Sequence, residues 1–178
     1  MRVRSRAAAA GGVLAAMLSA GGPPAVAGQG IYVGPQATSS EHANWGFGPR
    51  LMIDLGPLDL GFRLQGSFDY FFPSDSEFER AGIPVMAEDV DYWELNLNVH
   101  WVFGIPLVAP YIGGGLNIAH TKVEGASDSQ LDVDETDTGV NVLGGVELKI
   151  FGFAPFLEAR KEFGGGDQWM VALGFTFR

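Results

Sequence analysis

Residues 93–103 read Trp-Glu-Leu-Asn-Leu-Asn-Val-His-Trp-Val-Phe, and this stretch decides the fold. The odd positions are Trp93, Leu95, Leu97, Val99, Trp101 and Phe103, while the even positions begin Glu94, Asn96, Asn98 and His100. Successive side chains of an extended chain point to opposite faces, so this alternation predicts a β-strand with one apolar and one polar face. The end of the chain repeats the pattern, with Trp169, Val171, Leu173, Phe175 and Phe177 on one face and Met170, Ala172, Gly174, Thr176 and Arg178 on the other. Over 58–72 the even positions are Leu58, Leu60, Phe62, Leu64, Gly66, Phe68, Tyr70 and Phe72, against Asp59, Arg63, Gln65, Ser67 and Asp69. Less regular segments at about 29–37, 45–54, 110–122, 138–150 and 155–163 bring the reading to eight strands and no helix.

Composition narrows what such strands can be. The chain has 178 residues, 26 glycines, no cysteine, 47% hydrophobic residues and a formal net charge of −10. Its mean hydropathy is nevertheless positive, at +0.13. Without cysteine there is no disulfide scaffold, thiolate metal site or cysteine nucleophile. With 11 Lys+Arg against 21 Asp+Glu, the charge is wrong for neutralising nucleic-acid phosphates. Glycine shows no three-residue period, which excludes collagen.

The N-terminus accounts for part of the hydropathy. Arg2, Arg4 and Arg6 precede an uncharged run over 7–20, and Ala25-Val26-Ala27 is a small-x-small cleavage site. This is the pattern of a secretory signal peptide over 1–27, leaving 28–178 as a single exported domain. The stretch 101–119 is free of charge and nominally long enough for a spanning helix. Pro106, Pro110 and Gly113-Gly114-Gly115 fit strand, turn and strand instead.

The predicted connections alternate in length. Those at about 55–57, 104–109 and 151–154 are short, while 38–44, 73–89 and 123–137 are longer; 164–167 is short and departs from the trend. Long loops at one end and tight turns at the other describe an up-and-down transmembrane barrel. A soluble barrel has the same period with its apolar face inside, and side-chain volume decides between the two. Eight strands leave an interior just wide enough for side chains, which several strands of Phe, Trp and Leu would overfill. The polar face is mostly Gly, Asn, Ser, Thr and Ala with a few charges of both signs, not the dense Lys and Glu of a water-facing sheet. The apolar face is therefore read as facing lipid.

The aromatic residues fall into two groups. Trp45, Tyr70, Phe72, Tyr92, Trp93, Phe163 and Trp169 lie near the long loops, and Trp101, Phe103, Phe151, Phe153, Phe175 and Phe177 near the short turns. Two such belts are what the two bilayer interfaces select. In its signal peptide, its eight-strand pattern and its aromatic-alternating end, the chain resembles the OmpA/OmpX-like eight-stranded outer-membrane β-barrels of Gram-negative bacteria. The resemblance covers about 29–178 and implies outer-membrane location, assembly by the barrel assembly machinery, and contact with outer-membrane lipids and lipopolysaccharide. Members commonly end on an aromatic residue, whereas here Phe177 is penultimate and Arg178 last. No stretch after Phe177 provides a peptidoglycan-binding domain, so a stand-alone, monomeric barrel is expected.

Alternation nominates the lumen residues: Arg50, Asp54, Arg63, Asp69, Glu94, His100, Glu147, Lys149, Glu158, Arg160 and Glu162. Buried ions must pair, so a network of ion pairs and hydrogen bonds is expected. It serves either as a polar plug or as the constriction of a narrow solute pore, with Arg63, Arg160, Glu94, Glu147 and Glu158 as the constricting side chains. The long loops are acidic: Asp75, Glu77, Glu79, Glu88, Asp89 and Asp91 in or beside 73–89, and Glu124, Asp128, Asp132, Asp134, Glu135 and Asp137 in 123–137. They are candidate sites for an extracellular ligand. The run 132–137 also raises calcium, but it lacks the glycine and closing glutamate of an EF-hand. Some eight-stranded barrels deacylate lipid A. Of the three histidines, His42, His100 and His120, only His120 lies near serines at the outer rim, and no His-x-Ser arrangement accompanies it. The expectation is a non-enzymatic protein of envelope structure and surface interaction, with no cofactor and no metal.

Overall fold

The computed structural model describes residues 30–41, 44–55, 61–72, 87–103, 105–125, 133–150, 152–164 and 167–177. The predicted signal segment lies outside them. Eight strands, β1 (Ile31–Ser40), β2 (Asn44–Asp54), β3 (Phe62–Phe71), β4 (Ala87–Val102), β5 (Val108–Gly125), β6 (Val133–Leu148), β7 (Phe153–Phe163) and β8 (Trp169–Phe177), follow one another around a closed barrel. Every neighbouring pair is antiparallel, and β1 pairs with β8 to leave no sheet edge around the wall. Val33 of β1 lies opposite Phe177 of β8, so the first and last strands meet at the end of the short turns.

The period-two pattern becomes an inside and an outside. On β4, Glu94, Asn96, Asn98 and His100 are buried, while Leu95, Leu97, Val99 and Trp101 are exposed. The same inversion holds on β8, where Met170, Ala172 and Thr176 are buried and Trp169, Val171, Leu173 and Phe177 are exposed. Leu97 at 52% exposure beside Asn98 at 1% is the reverse of a water-soluble core. A continuous apolar exterior on a closed barrel is stable where the surrounding solvent is hydrocarbon, since all backbone groups of the wall are paired within it. Among the described residues no helix is long and apolar enough to cross a membrane; this chain crosses with strands.

The strands differ from their predicted lengths on one side of the barrel. β4, β5 and β6 have 16, 18 and 16 residues, against about 9–11 for a tilted strand crossing a bilayer. β3 meets β4 no further out than Phe71 opposite Tyr92, and β7 meets β6 no further out than Phe163 opposite Val140. Three strands therefore rise beyond the wall at the long-loop end. Much of the segment 123–137, expected as a loop, is strand up to Gly125 and again from Val133. The expected start at 93 likewise moves to Ala87. These extensions carry polar residues on both faces, so apolar alternation had nothing to mark there.

Candidate functional site

The lumen is filled by three successive polar layers. Nearest the short turns, Arg63 of β3 donates from Nε to Asp54 Oδ1 at 2.6 Å and from a terminal nitrogen to Glu147 Oε2 at 3.0 Å. Its guanidinium lies 5.2 Å from the centre of the Tyr32 ring, and the Tyr32 hydroxyl donates to Asp54 Oδ2 at 3.1 Å. A cavity of about 220 Å³ opens at this mouth, lined among others by Tyr32, Arg63, Glu147, Lys149 and Thr176.

The middle layer spans the barrel. Arg50 of β2 donates to Glu158 Oε2 at 2.5 Å, and the Tyr111 hydroxyl donates to the same oxygen at 2.9 Å. Both charged side chains are only 1% exposed. The Arg50 guanidinium sits 4.2 Å above the Phe156 ring, and His100 stacks on Tyr111 with centroids 4.7 Å apart and planes 8° from parallel. Gly145 creates the room: a Cβ there would stand 2.5 Å from the Tyr111 hydroxyl. A buried ion pair that also accepts a phenol hydrogen bond and lies against aromatic faces has its desolvation offset by geometry.

The outer layer is richer in acids. Asp69 accepts from Gln36 Nε2 at 2.9 and 2.8 Å and from Thr38 Oγ1 at 2.9 Å. Arg160 lies 3.0 Å from Glu162 and 3.8 Å from Glu94. Gln168 bridges these two acids, donating to Glu94 Oε1 at 2.9 Å and Glu162 Oε2 at 3.0 Å, and Tyr92 also donates to Glu94. Phe71, Met170 and Tyr92 cap this layer as a small apolar cluster.

The sequence-nominated lumen residues thus separate by depth. Arg50, Asp69, Glu94, His100, Glu147, Glu158, Arg160 and Glu162 are buried. Arg63 and Asp54 line the mouth at 12% and 32% exposure. Lys149 follows the last residue of β6 and is exposed, so it joins the cavity rim and not the buried layers. Of the expected constriction, Arg63 meets Glu147 and Arg160 lies near Glu94, while Glu158 is taken by Arg50. Tyr111, Gln168, Gln36 and Tyr32 are members that sequence reasoning passed over. Tyr111 shares the parity of Gly113, Gly115 and Asn117, and that count along β5 would have found it.

The aromatic belts surround the exterior. Trp45, Trp101, Phe103, Trp169 and Phe177 are exposed, and Tyr70 and Trp93 are half-buried. Trp101 packs with Phe62 and Phe103, and Phe177 with Phe153 and Phe175. Tyr92 corrects the expectation: it shares the parity of Glu94 and points into the lumen. Phe151 lies outside the described residues.

Two rim features bear on chemistry. His120 stacks on Trp93, and its Nδ1 lies 2.9 Å from Thr136 Oγ1 and 3.9 Å from Asp134 Oδ1. A catalytic relay needs nucleophile and acid on opposite ring nitrogens, whereas both groups here approach Nδ1. Asp134 lies on one face of β6 and Glu135 and Asp137 on the other, which divides the carboxylate set of the calcium reading, and Asp132 lies outside the described residues. Among the described residues no three His, Asp or Glu side chains are grouped to hold a metal.

A closed eight-stranded antiparallel barrel, apolar outside and polar inside, is the fold of the OmpA/OmpX-like outer-membrane barrels. No family model matches the sequence, and no curated protein does. Solved structures do. The N-terminal β-barrel domain of Pseudomonas aeruginosa OprF is 16% identical with a TM-score of 0.63, covering 84% of this chain and 96% of its own. Neisserial surface protein A is 18% identical with a TM-score of 0.58, covering 84% and 98%. Ail, the attachment invasion locus protein of Yersinia pestis, is 15% identical with a TM-score of 0.58, covering 84% and 97%. A further Ail structure, in complex with the heparin analogue sucrose octasulfate, has a TM-score of 0.57 at 14% identity and covers 84% and 96%.

Proposed function

We propose that this chain is an outer-membrane barrel that acts by its presence in the envelope and through its outer surface, with a lumen that is a structural plug. The observation that carries this is the middle layer: Arg50, Glu158, Tyr111 and His100 lie across the barrel in contact with one another. A conducting path would need this buried ion pair to part, and removing one partner of such a pair costs about 3–5 kcal/mol. The outer membrane is favoured by the apolar exterior, the aromatic belts and the predicted export signal. The narrow-pore alternative has the cavity at the mouth in its favour, yet that cavity ends on Arg63 and Glu147. Lipid A modification finds no support in the arrangement around His120.

The outer connections are where a partner would meet the protein. Ail holds a sulfated ligand in its complex, but acids predominate in the segments 73–89 and 123–137 of this chain. Like charges repel, so we infer a cationic partner: divalent ions bridging lipopolysaccharide, or a basic extracellular surface. Planar-bilayer recording tests the plug. Wild-type protein is expected to give near-zero conductance, and the Arg50→Ala/Glu158→Ala/Tyr111→Ala variant discrete openings. Wild-type openings as large as the variant's would establish the pore instead.

A further inference from the structure

β6 runs further out than β7. It pairs with β7 only from Val140 inward, whereas its pairing with β5 is unbroken from Val133 opposite Val123 to Gly139 opposite Asn117 and onward. Among the described residues, the outer edge of β6 from Val133 to Gly139 therefore has no strand beside it. Alternate residues of such an edge turn their N–H and C=O groups away from the paired side. The adjoining chain is too short to cover them. The edge is about 20 Å long, so a covering run out and back takes about 40 Å. The connections 164–168 and 126–132 reach at most about 18 Å and about 25 Å fully extended, and Gln168 is already buried in the lumen on Glu94 and Glu162.

The edge also lacks the usual devices that blunt a strand against pairing. β6 contains no proline, lysine or arginine, and its register with β5 carries no bulge. Its charges select the occupant instead. Asp134 lies opposite Lys122, but Glu135 and Asp137, on the other face, lie opposite Thr121 and Ala119 and have no cation across the ladder. Two carboxylates two residues apart on one face of a free edge match two basic side chains at the same spacing on an added strand. A second copy of this chain is a poor fit, because pairing two such edges sets acid against acid. We propose that this edge takes up an extended basic segment of another protein as an additional strand, with alternate Lys or Arg side chains facing Glu135 and Asp137. The proposal deepens the cationic-partner reading above and rests on it.

The test is the binding of two dye-labelled octapeptides to the full chain in phosphatidylcholine nanodiscs, read by fluorescence anisotropy. One peptide alternates lysine and threonine. The other has the same sequence with every backbone nitrogen methylated, which keeps the charge and removes the donors of a ladder. Wild-type protein should bind the first about tenfold more tightly than the second. Glu135→Gln/Asp137→Asn should lose that preference, while Asp75→Asn/Glu77→Gln, which neutralises acids of the other long segment, should bind like wild type. Equal binding of the two peptides by wild-type protein overturns the inference and leaves the cationic reading standing; binding of neither removes both. An equal loss in Asp75→Asn/Glu77→Gln, or a dimer of the chain joined through this edge in place of peptide binding, also overturns it. A heated-versus-unheated gel reports whether each variant is a folded barrel, and the wild-type comparison decides even where a variant is not.

Discussion

The lumen has two unlike sides. On β1, β2 and β7 it is built from Gln36, Thr38, Arg50, Glu158, Arg160 and Glu162, and charge is met by charge or by several donors. On β3 to β6 the middle of the wall carries Gln65, Ser67, Asn96, Asn98, Asn117 and Asn141, with Gly113 and Gly115 between them. Contacts there are few: Asn98 donates to Gln65 at 2.5 Å and Asn141 to Asn96 at 3.4 Å. Atoms on all six polar residues remain buried without hydrogen-bond partners, as do single atoms of Arg50, Glu158, Arg160 and Glu162, but each of those four also faces an opposite charge. An ion in low dielectric must be paired, which makes the charged side exacting, while a neutral amide tolerates partial satisfaction at lower cost. On the proposed reading of the lumen as a plug, the charged side is the part that holds it together and the amide side fills space.

Breaking the charged side should have the largest effect. Arg50→Ala leaves Glu158 buried without its cation and should lower stability by about 3–5 kcal/mol, read from urea unfolding in lipid vesicles by tryptophan fluorescence. Adding Glu158→Ala should recover much of that loss, because no unpaired ion remains; full additivity of the two losses would mean that they do not act as a pair. Next comes the exterior. Leu97→Arg puts a cation on the lipid face and should cost about 2–4 kcal/mol if that position lies near the bilayer midplane. On the amide side, Asn96→Ala should cost about 1 kcal/mol, since its Nδ2 has no partner and its Oδ1 accepts only the 3.4 Å bond from Asn141. A loss as large as that of Arg50→Ala would erase the distinction between the two sides.

The outline of this arrangement was legible in the sequence because a lipid-facing strand cannot hide its alternation. Leu95, Leu97 and Val99 had to face hydrocarbon, and their neighbours inherited the lumen. What stayed illegible had no such contrast. The outer part of β6 carries Asp134, Glu135 and Asp137, polar on both faces, so it read as loop until its pairing with β5 was seen. Tyr92 and Tyr111 were obscured differently, since an aromatic ring suits an interfacial belt as well as a packed lumen, and only counting inward positions separates these roles. Which ions pair could not be read at all. Arg50 and Glu158 are 108 residues apart in sequence, and their meeting depends on how eight strands register around the closure.

The inside-out orientation of the strands is the central claim, and the absence of cysteine makes it directly measurable. Single-cysteine variants Leu95→Cys, Leu97→Cys and Val99→Cys, each carrying a nitroxide, can be reconstituted in bilayers and their spin relaxation compared with dissolved oxygen and with a water-soluble nickel chelate. Oxygen, which concentrates in hydrocarbon, should relax all three strongly while the chelate does not. Strong relaxation by the chelate at Leu97→Cys, with little by oxygen, would put the apolar face in water and contradict the account.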